Sequence, residues 1–574
     1  MCAFIVKKKI HDRDYYYLRE SKRVNGKVKS VYLAYLGKTR KDAEKKAEEI
    51  LKTGKKKEKE KKRKPRKVSG EFAGYDYDRT LELALRKSLF YPAAEIYSDS
   101  PAGFWDFGPV GQAIRRKIIN FWRKELVQKE NMLEISGSQI LPVTVFEGSG
   151  HMKSFVDPIV YCKKCKKYYR ADELISKKTG KHIPESTSLE ELEGLIEKNN
   201  IRCSCGGQLG KVTRFNMMVE SIVGKKGDIK TFLRPETCQS IFLDFSRMVK
   251  TSRLKLPQGI AQAGGVFRNE ISPRQSITRS IEFSQMEAEI FFDPEKIDEF
   301  ETEKWKEVKN YKLKVLKLGK EEIEEISAQN LIKEKIVPGK LIAYFLARTQ
   351  QVWNKLGIPL EKIRFREVDK DERAFYSLVT FDLEILTSIG WLELIANNYR
   401  TDYDLKGHME HSENDLRYLT DEGKKIIPHI WEISAGVDRT MFALIENSFK
   451  KGKEGIYLSL NPVISPYDCA VLPLVNREDI LKFSEEVDKL LRDSWFDVVY
   501  DKGGSIGRRY ARNDEMGTPF CITIDGDSLK KKDITIRDRD TTKQIRVKIS
   551  ELENILRKLI KKEINFDRAG KKFS

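Results

Sequence analysis

Residues 267–287 hold the pattern that most restricts the fold, two short stretches that are typical of an antiparallel hairpin. The outgoing stretch is Phe267-Arg268-Asn269-Glu270, and the return stretch contains Arg279, Glu282, Phe283, Gln285 and Glu287. Because side chains alternate along a strand, Arg268 and Glu270 are predicted to share one face. Arginine binds phosphate oxygens, an aromatic ring stacks on a base, and a carboxylate binds a cation or an ammonium group. The pattern therefore predicts a nucleotide site, with an ordinary charged hairpin as the alternative.

A second segment, residues 428–439, runs from a predicted strand into a predicted helix. Glu432 and Ser434 lie two apart on the strand and therefore share a face. Gly436 ends the strand, and Arg439 falls in the first turn of the helix. Helix N-termini bind phosphate groups, so an arginine there indicates a second phosphate contact. A core strand that runs into a helix would explain the apolar residues, but not Glu432 beside Arg439.

These segments resemble motifs 2 and 3 of class II aminoacyl-tRNA synthetases. Other stretches are similar to the glycyl-tRNA synthetase family of the archaeal and eukaryotic dimeric type: residues 215–218 (FNMM), 233–237 (LRPET), 390–393 (GWLE), 403–405 (YDL) and 503–512 (GGSIGRRYAR). The chain departs from the usual pattern at a few positions. Asp438 replaces the second glycine of glycine-x-glycine-arginine, Cys238 and Ser240 replace alanine and glycine, and Ile433 replaces proline.

The resemblance implies an α+β fold with a catalytic domain on an antiparallel sheet. The expected domains are a small basic module (1–54), a charged linker (55–69), a class II catalytic domain (70–460) and an α/β anticodon-binding domain (461–574). Inside the catalytic domain we expect a zinc-binding insertion at 158–212 and a helical insertion at 296–360. The pattern also predicts a helix over 111–128.

The activity that the resemblance implies is ATP-dependent attachment of glycine to tRNA(Gly) through glycyl-adenylate. The expected catalytic residues are Arg268, Glu270 and Arg439. The expected ATP site comprises Arg268, Asn269, Glu270, Arg279, Glu282, Phe283, Glu393, Leu394, Gly436 and Arg439. The expected glycine site comprises Arg170, Glu236, Phe283, Gln285, Glu287, Glu432 and Ser434. Glu393 and Glu432 are expected to bind Mg²⁺, a hard ion that prefers oxygen ligands.

Four cysteines in two close pairs form a candidate metal site: Cys162, Cys165, Cys203 and Cys205. Four thiolates suit tetrahedral zinc. The second pair has one intervening residue instead of two, and four ordinary thiols are the alternative.

The net charge of +21 is concentrated near the N-terminus, where residues 1–67 carry 25 basic and 9 acidic side chains, a net charge of +16. Such an arm binds polyanions or serves as a solvated linker. Within it, two predicted strands flank an Asn25-Gly26 turn.

No run of 18 apolar residues and no signal peptide is apparent, so we expect a cytoplasmic protein without a membrane span. By resemblance the enzyme is a homodimer. Two alternatives stay open: a catalytically silent synthetase-like protein that binds tRNA or assists a polymerase, and a synthetase for another small amino acid.

Overall fold

A computed structural model describes residues 3–10, 13–24, 27–37, 40, 44, 45, 47 and 77–573 apart from 182, 185, 186, 272, 274, 301, 453 and 454. The chain divides into two compact units, Met1–Ala73 and Gly74–Ser574. The predicted linker 55–69 lies outside the described residues, as do Ser272 and Arg274 of the hairpin loop. Among the described helices, none is long and apolar enough to cross a membrane.

The N-terminal unit contains a three-stranded antiparallel sheet formed by Ala3–Ile10, Arg13–Val24 and Lys27–Gly37 in chain order. Val24 pairs with Lys27 across the predicted turn. The two strands that we expected around this turn are therefore present.

The second unit is built on a nine-stranded central sheet. Its strands, in chain order, are β1 (Leu133–Glu134), β2 (Gln258–Phe267), β3 (Glu282–Phe292), β4 (Lys312–Leu316), β5 (Glu324–Ser327), β6 (Ile363–Glu367), β7 (Val379–Thr387), β8 (Gly390–Thr401) and β9 (His429–Gly436). Their order in the sheet is β5-β4-β6-β7-β8-β9-β3-β2-β1. The strands from β6 to β2 run antiparallel, whereas β4 is parallel to β6 and β1 to β2.

The two faces of this sheet differ in chemistry because its strands alternate polar and apolar residues. On β3, Met286, Ala288 and Ile290 are buried in the main hydrophobic core. The intervening positions are Gln285, Glu287 and Glu289, which lie on the opposite face. One face thus holds the fold together, and the other presents charged groups.

The helices that border the sheet are α1 (Pro109–Trp122), α2 (Gln239–Ser252), α3 (Lys340–Leu356), α4 (Tyr403–Ser412) and α5 (Val437–Ser448). A π-helical turn, Arg123–Gln128, extends α1, so the helix predicted over 111–128 is present. Shorter helices are Tyr77–Arg86, Val143–Gly148, His151–Ser154, Glu303–Val308 and Ala328–Lys333.

The predicted helical insertion at 296–360 is partly wrong. It contains β4 and β5, and these strands extend the central sheet. Leu313 and Val315 of β4 are buried in the main core, as is most of α3. The segment is therefore an edge of the central sheet rather than a set of helices packed onto it.

The cysteine-rich segment has its own small sheet, Val156–Cys162, Tyr168–Arg170 and Leu209–Asn216, and two helices, Ala171–Thr179 and Leu189–Lys198. Beside it lies a sheet of Val219–Val223, Ile229–Leu233 and Ile140–Pro142. Two-stranded ribbons pair Tyr91–Pro92 with Trp105–Asp106, Tyr418–Leu419 with Lys425–Ile426, and Phe449–Gly452 with Gly455–Leu458.

The C-terminal part folds around a separate hydrophobic cluster, as expected for an α/β domain. Its sheet contains Cys469–Pro473, Val498–Tyr500, Phe520–Ile524, Asp533–Asp538, Gln544–Lys548 and Lys571–Phe573. Its helices are Glu478–Asp493, Ile506–Met516, Gly526–Lys531 and Ile549–Ile560.

Candidate active site

The polar face of the central sheet brings together residues from three strands. Across β3 and β9, Glu287 pairs with Ser434 and Glu289 with Glu432. Across β8 and β9, Asn398 pairs with Glu432. Directly paired residues share a face, so these side chains form one buried polar stripe.

Arg268 stands at the open end of this stripe, next to the aromatic residue that the sequence predicted. Its guanidinium lies 5.5 Å from the ring centroid of Phe283. Its Nε donates a hydrogen bond to the carbonyl oxygen of Pro235 (3.1 Å), and an Nη lies 3.7 Å from a carboxylate oxygen of Glu236. A cation, a ring and a carboxylate therefore meet here.

The predicted alternation of Arg268 and Glu270 is wrong because β2 ends at Phe267. The backbone N–H of Glu270 donates to the carbonyl oxygen of Arg268 (2.8 Å), which makes a tight turn. Glu270 instead accepts a hydrogen bond from Arg279 (2.9 Å), and Arg279 also donates to Glu173 of the cysteine-rich segment (3.0 Å).

Asn269, Glu282 and Leu394 are less direct candidates for ATP. The N–H of Asn269 donates to the carbonyl oxygen of Met217 (2.7 Å), whereas the Glu282 side chain is exposed. Leu394 is 2% exposed and packs in the main core, so its side chain does not contribute to an ATP site.

Arg439 occupies the first turn of α5, which begins after Gly436 as predicted. An Nη lies 3.3 Å from a carboxylate oxygen of Glu393, and Nε donates to the carbonyl oxygen of Thr278 (3.1 Å). Because Thr278 belongs to the turn before β3, this contact ties α5 to the hairpin.

Asp438, the unusual residue of the motif, is 2% exposed. Its carboxylate accepts hydrogen bonds from Arg115 of α1 (2.7 Å) and from the backbone N–H of Ser284 on β3 (2.9 Å). Arg115 also donates to the Ser284 hydroxyl (2.7 Å). The aspartate thus joins α1, β3 and α5 at one point.

Glu236 is 5% exposed and is surrounded by hydrogen-bond donors and positive charges. Tyr376 donates to one oxygen (3.2 Å), and the Nε2 of His151 lies 3.4 Å from the other. Burial tends to raise the pKa of the Glu236 carboxyl. The interaction with His151 and the charges of Arg400 and Arg268 outweigh burial and hold this pKa well below its usual range.

Glu287 on β3 is fully buried, and its carboxylate accepts a hydrogen bond from Ser434, another residue of the expected glycine site. Ser434 donates to one carboxylate oxygen (2.6 Å) and Thr237 to the other (2.5 Å). Gln285 donates weakly to Ser434 (3.4 Å), and its buried Oε1 has no hydrogen-bond partner among the described residues. Burial, and then the charge of Glu236, raises the pKa of Glu287.

Glu432 is 1% exposed and belongs to a network that the sequence analysis missed. Arg400, which is fully buried, donates to Glu432 (3.1 Å) and makes two hydrogen bonds to Asp404 (2.7 Å each). Asn398 donates to the second Glu432 oxygen (2.6 Å). Burial raises the pKa of Glu432 to about 8, although the Arg400 charge opposes the shift.

Glu393 and Glu432, which are both expected to bind Mg²⁺, lie too far apart to share one ion. Glu432 is level with Asn398, five residues along β8 from Glu393, so the two stand on the order of 15 Å apart. Oxygen ligands lie about 2.1 Å from Mg²⁺, which excludes a shared ion. Glu393, with a side chain 45% exposed, remains free to meet solvent or ligand.

Arg170 was predicted near glycine, but its guanidinium is engaged by aspartates of the cysteine-rich segment. It lies 2.6 Å from Asp172 and 3.2 Å from Asp157. Its place in the glycine site stays a prediction.

The four predicted cysteines converge, and their ligand atoms all lie within 4.8 Å of one another. The Sγ atoms of Cys162 and Cys205 are 3.6 Å apart, and those of Cys165 and Cys203 are 3.5 Å apart. Zn–S bonds of about 2.3 Å at tetrahedral angles place sulfur atoms roughly 3.8 Å apart, so this set fits zinc.

Comparison with known proteins agrees with this arrangement. The family described as tRNA synthetase class II core domain (G, H, P, S and T) matches residues 222–330, and the family described as anticodon binding domain matches residues 468–559. The chain is 35% identical to a glycine–tRNA ligase of Methanocaldococcus jannaschii over 84% of its length and 99% of the relative's. It is 37% identical to that of Pyrococcus horikoshii, with 86% and 100% covered.

This chain belongs to the glycine–tRNA ligase family. The predicted family and fold class are thereby confirmed. A glycine–tRNA ligase of Thermococcus gammatolerans is 38% identical, with 84% of this chain and 98% of the relative covered.

A solved structure supports the fold independently of close sequence similarity. A prolyl-tRNA synthetase from Cryptosporidium parvum, complexed with halofuginone and AMPPNP, superposes with a TM-score of 0.51 at 13% identity. The match covers 86% of this chain and 79% of that one. The shared feature is the class II synthetase fold.

Proposed function

We propose that this chain attaches glycine to tRNA(Gly) in two steps at the polar end of the central sheet. A glycine carboxylate oxygen attacks the α-phosphorus of ATP, which forms glycyl-adenylate and releases pyrophosphate. A terminal ribose hydroxyl of the tRNA then attacks the glycyl carbonyl carbon, and AMP leaves. The observation that carries this proposal is the meeting of Arg268, Phe283 and Glu236 at one place.

Each residue has a role that follows from its position. Arg268 binds the α-phosphate and stabilises the charge that develops there, and Phe283 stacks on adenine. Arg439 binds the γ-phosphate from the start of α5, and Arg279 with Glu270 holds the hairpin loop. Catalysis is then positioning and charge stabilisation, without a nucleophilic side chain.

Glu236 is the proposed partner of the glycine ammonium group, because it is held ionised beside Arg268. Gln285, Glu287 and Ser434 line the neighbouring part of the stripe. Glu432 contributes indirectly, by fixing Arg400 behind Glu236.

Glu393 is the residue that would hold Mg²⁺ beside the phosphates, since its carboxylate is half-exposed and lies next to Arg439. Such an ion neutralises phosphate charge when bound. The remaining ligands would be phosphate oxygens and water.

The test of the proposed function is pyrophosphate exchange with each of the twenty amino acids. We expect exchange with glycine, and weak or no exchange with alanine and serine. Exchange led by another amino acid would support the alternative of a different small-amino-acid synthetase, and exchange with none would support the silent tRNA-binding protein.

Zinc at the four cysteines is the proposed structural metal. We expect about one zinc per chain by atomic absorption, and a large loss of zinc in Cys162→Ser with a lower melting temperature. Cys469→Ala removes a buried thiol from the C-terminal sheet and serves as the control, with zinc unchanged. Equal zinc in both variants would contradict the assignment.

A homodimer is the proposed assembly, because the small sheet beside the cysteine-rich segment exposes apolar side chains. Ile140 and Ile229 are 42% and 53% exposed, and they share one face of this sheet because Ile140 pairs with Leu233, which lies on the same face of its strand as Ile229. Burying them against a second copy would be favourable. We expect sedimentation to show a dimer that Ile229→Asp weakens and that Ile323→Asp, a 40% exposed control, leaves intact.

The proposed location is the cytoplasm. The proposed substrates of the enzyme, tRNA and ATP, are found there. None of the described cysteines forms a disulfide, as is usual for cytosolic proteins.

A further inference from the structure

One glutamate of the cysteine-rich segment contacts the hairpin to which we assign ATP, although this segment has a sheet and a hydrophobic cluster of its own. Glu173 accepts a hydrogen bond from an Nη of Arg279 (3.0 Å). The two residues are 106 apart in sequence, so the tertiary fold brings them together. None of the roles proposed above uses Glu173.

The packing of the helix Ala171–Thr179 does not explain this glutamate. Ala171 and Ile175 are fully buried in the hydrophobic cluster of the segment. Glu173 is two residues from each of them, so it lies on the far side of the helix, and its side chain is 43% exposed. A negative charge in the first turn favours a helix modestly, but Glu190 has the same place in the neighbouring helix without such a contact.

Arg170, which directly precedes the helix, fixes the turn that carries Glu173. Its guanidinium donates to both carboxylate oxygens of Asp172 (3.0 and 2.6 Å) and lies 3.2 Å from Asp157 on the first strand of the segment. Both aspartates are buried, and hydrogen bonds between charged groups orient their partners strongly. The first turn of the helix is therefore tied to that strand, and Glu173 extends from a rigid base.

Two carboxylates, one from the hairpin and one from the segment, orient Arg279. Glu270 accepts from its Nε (2.9 Å), and Glu173 accepts from one Nη (3.0 Å). A guanidinium is planar and carries five N–H donors, so acceptors at two different nitrogens fix its plane. Within the described part of the chain the other Nη has no hydrogen-bond acceptor, which leaves its two donors for a nucleotide.

Two further contacts join the same end of the segment to the hairpin. The backbone N–H of Asn269 donates to the carbonyl oxygen of Met217 (2.7 Å), and the guanidinium of Arg268 lies 5.5 Å from the ring centroid of Phe155. Phe155 and Met217 each adjoin the end of a strand, and these two strand ends pair with each other. The segment thus packs against the hairpin at several points, and the Glu173–Arg279 ion pair is a charged contact among them.

We propose that Glu173 is a positioning residue for ATP, which holds the Arg279 guanidinium so that its remaining donors meet the nucleotide. The inference rests on the proposed function, which assigns ATP to this hairpin. Glu173 acts only through Arg279 and touches neither substrate. The cysteine-rich segment therefore contributes to ATP affinity, and not to glycine recognition or to the chemical step.

The test measures the Kd for ATP by calorimetry, and the kinetic constants of pyrophosphate exchange, on the full chain. Glu173→Gln keeps the size of the side chain and removes its charge. We expect Kd and KM for ATP to rise about two- to fivefold, since a partly exposed ion pair contributes modestly. The kcat and the KM for glycine should stay at their parental values. Glu173→Asp keeps the charge on a shorter side chain and should fall between the parent and Glu173→Gln.

Glu190→Gln is the matched control, because it removes the same charge from an exposed first-turn position in the other helix of the segment. It should leave the KM for ATP unchanged. Arg279→Gln supplies a second control. If Glu173 acts through Arg279, adding Glu173→Gln to Arg279→Gln should cause no further rise, because the two changes remove one interaction.

Three results would overturn the proposal: an unchanged affinity for ATP in folded Glu173→Gln, an equal rise in Glu190→Gln, or a further rise in the Arg279→Gln background. A tighter affinity in Glu173→Gln would also overturn it, because Glu173 would then compete with ATP for Arg279. Failure of the proposed function is distinguishable from these results. A parental chain that binds ATP without glycine-dependent exchange would refute the synthetase chemistry, and the Kd for ATP would still decide the role of Glu173. A parental chain that does not bind ATP would overturn both.

Discussion

Glu236→Gln is expected to lower kcat/KM for glycine at least about 100-fold in pyrophosphate exchange. The substitution keeps the size of the side chain but removes the negative charge that we propose faces the glycine ammonium group. A factor of 100 corresponds to about 2.7 kcal/mol, in the range expected when a buried charged group loses its partner. Glu236→Ala should lose exchange altogether.

The measurement is exchange at several glycine concentrations, with thermal melting to show that the variant is folded. Glu220→Gln is the matched control, since Glu220 pairs with Lys230 on the surface and its side chain is 49% exposed. A folded Glu236→Gln enzyme with normal glycine dependence would remove Glu236 from the amino-acid site.

The polar face of the sheet was predictable because a strand repeats every two residues. On β3 this period alone places Phe283, Gln285 and Glu287 on one side, and the structure keeps them there. Ser434 and Glu432 follow from the same rule on β9. The two-residue period depends only on positions within one strand, so it can be predicted directly from the sequence.

Contacts between strands were not predictable in this way. Arg400 reaches Glu432 only because β8 and β9 pair in one particular register, and the two residues are 32 apart in sequence. In the sequence, Arg400 follows apolar and amide residues, and no pattern there indicates that its side chain is buried. The family-like stretch at 403–405 contained Asp404 and was the one available hint.

Strand ends and edges were also misjudged, for reasons of local geometry. β2 stops at Phe267 because the backbone of Glu270 turns back onto Arg268, which no hydrophobic pattern records. β4 alternates Lys312, Leu313, Lys314 and Val315, but it lies in a charged, amphipathic region that reads as helix. Its position beside β6, a non-local contact, decides its structure.

Arg268→Gln is expected to lower kcat for exchange by a factor of about 100 to 1,000, the size seen when one group that stabilises transition-state charge is removed. In the proposed mechanism the guanidinium contacts the α-phosphate as negative charge develops there, so the loss should appear mainly in kcat. Arg268→Lys keeps the charge but loses the planar fork of donors, and should fall between the parent and Arg268→Gln.

The measurement is single-turnover formation of glycyl-adenylate at saturating ATP and glycine. Arg417→Gln is the control, because Arg417 pairs with Asp415 at the surface, far along the sequence from the hairpin. A normal kcat in folded Arg268→Gln would contradict its role at the phosphate.

A double variant tests whether Arg268 and Glu236 act together. Their charged groups lie 3.7 Å apart, so removing either one disturbs the other. The double variant R268Q/E236Q should therefore lose less activity than the product of the two single losses, because neighbouring groups that act as a unit are not additive. If the two losses of activity multiply fully, Arg268 acts only on ATP and Glu236 only on glycine, and neither residue depends on the other. In that case the low pKa of Glu236 would have to depend on His151 and Arg400, the other partners that face it.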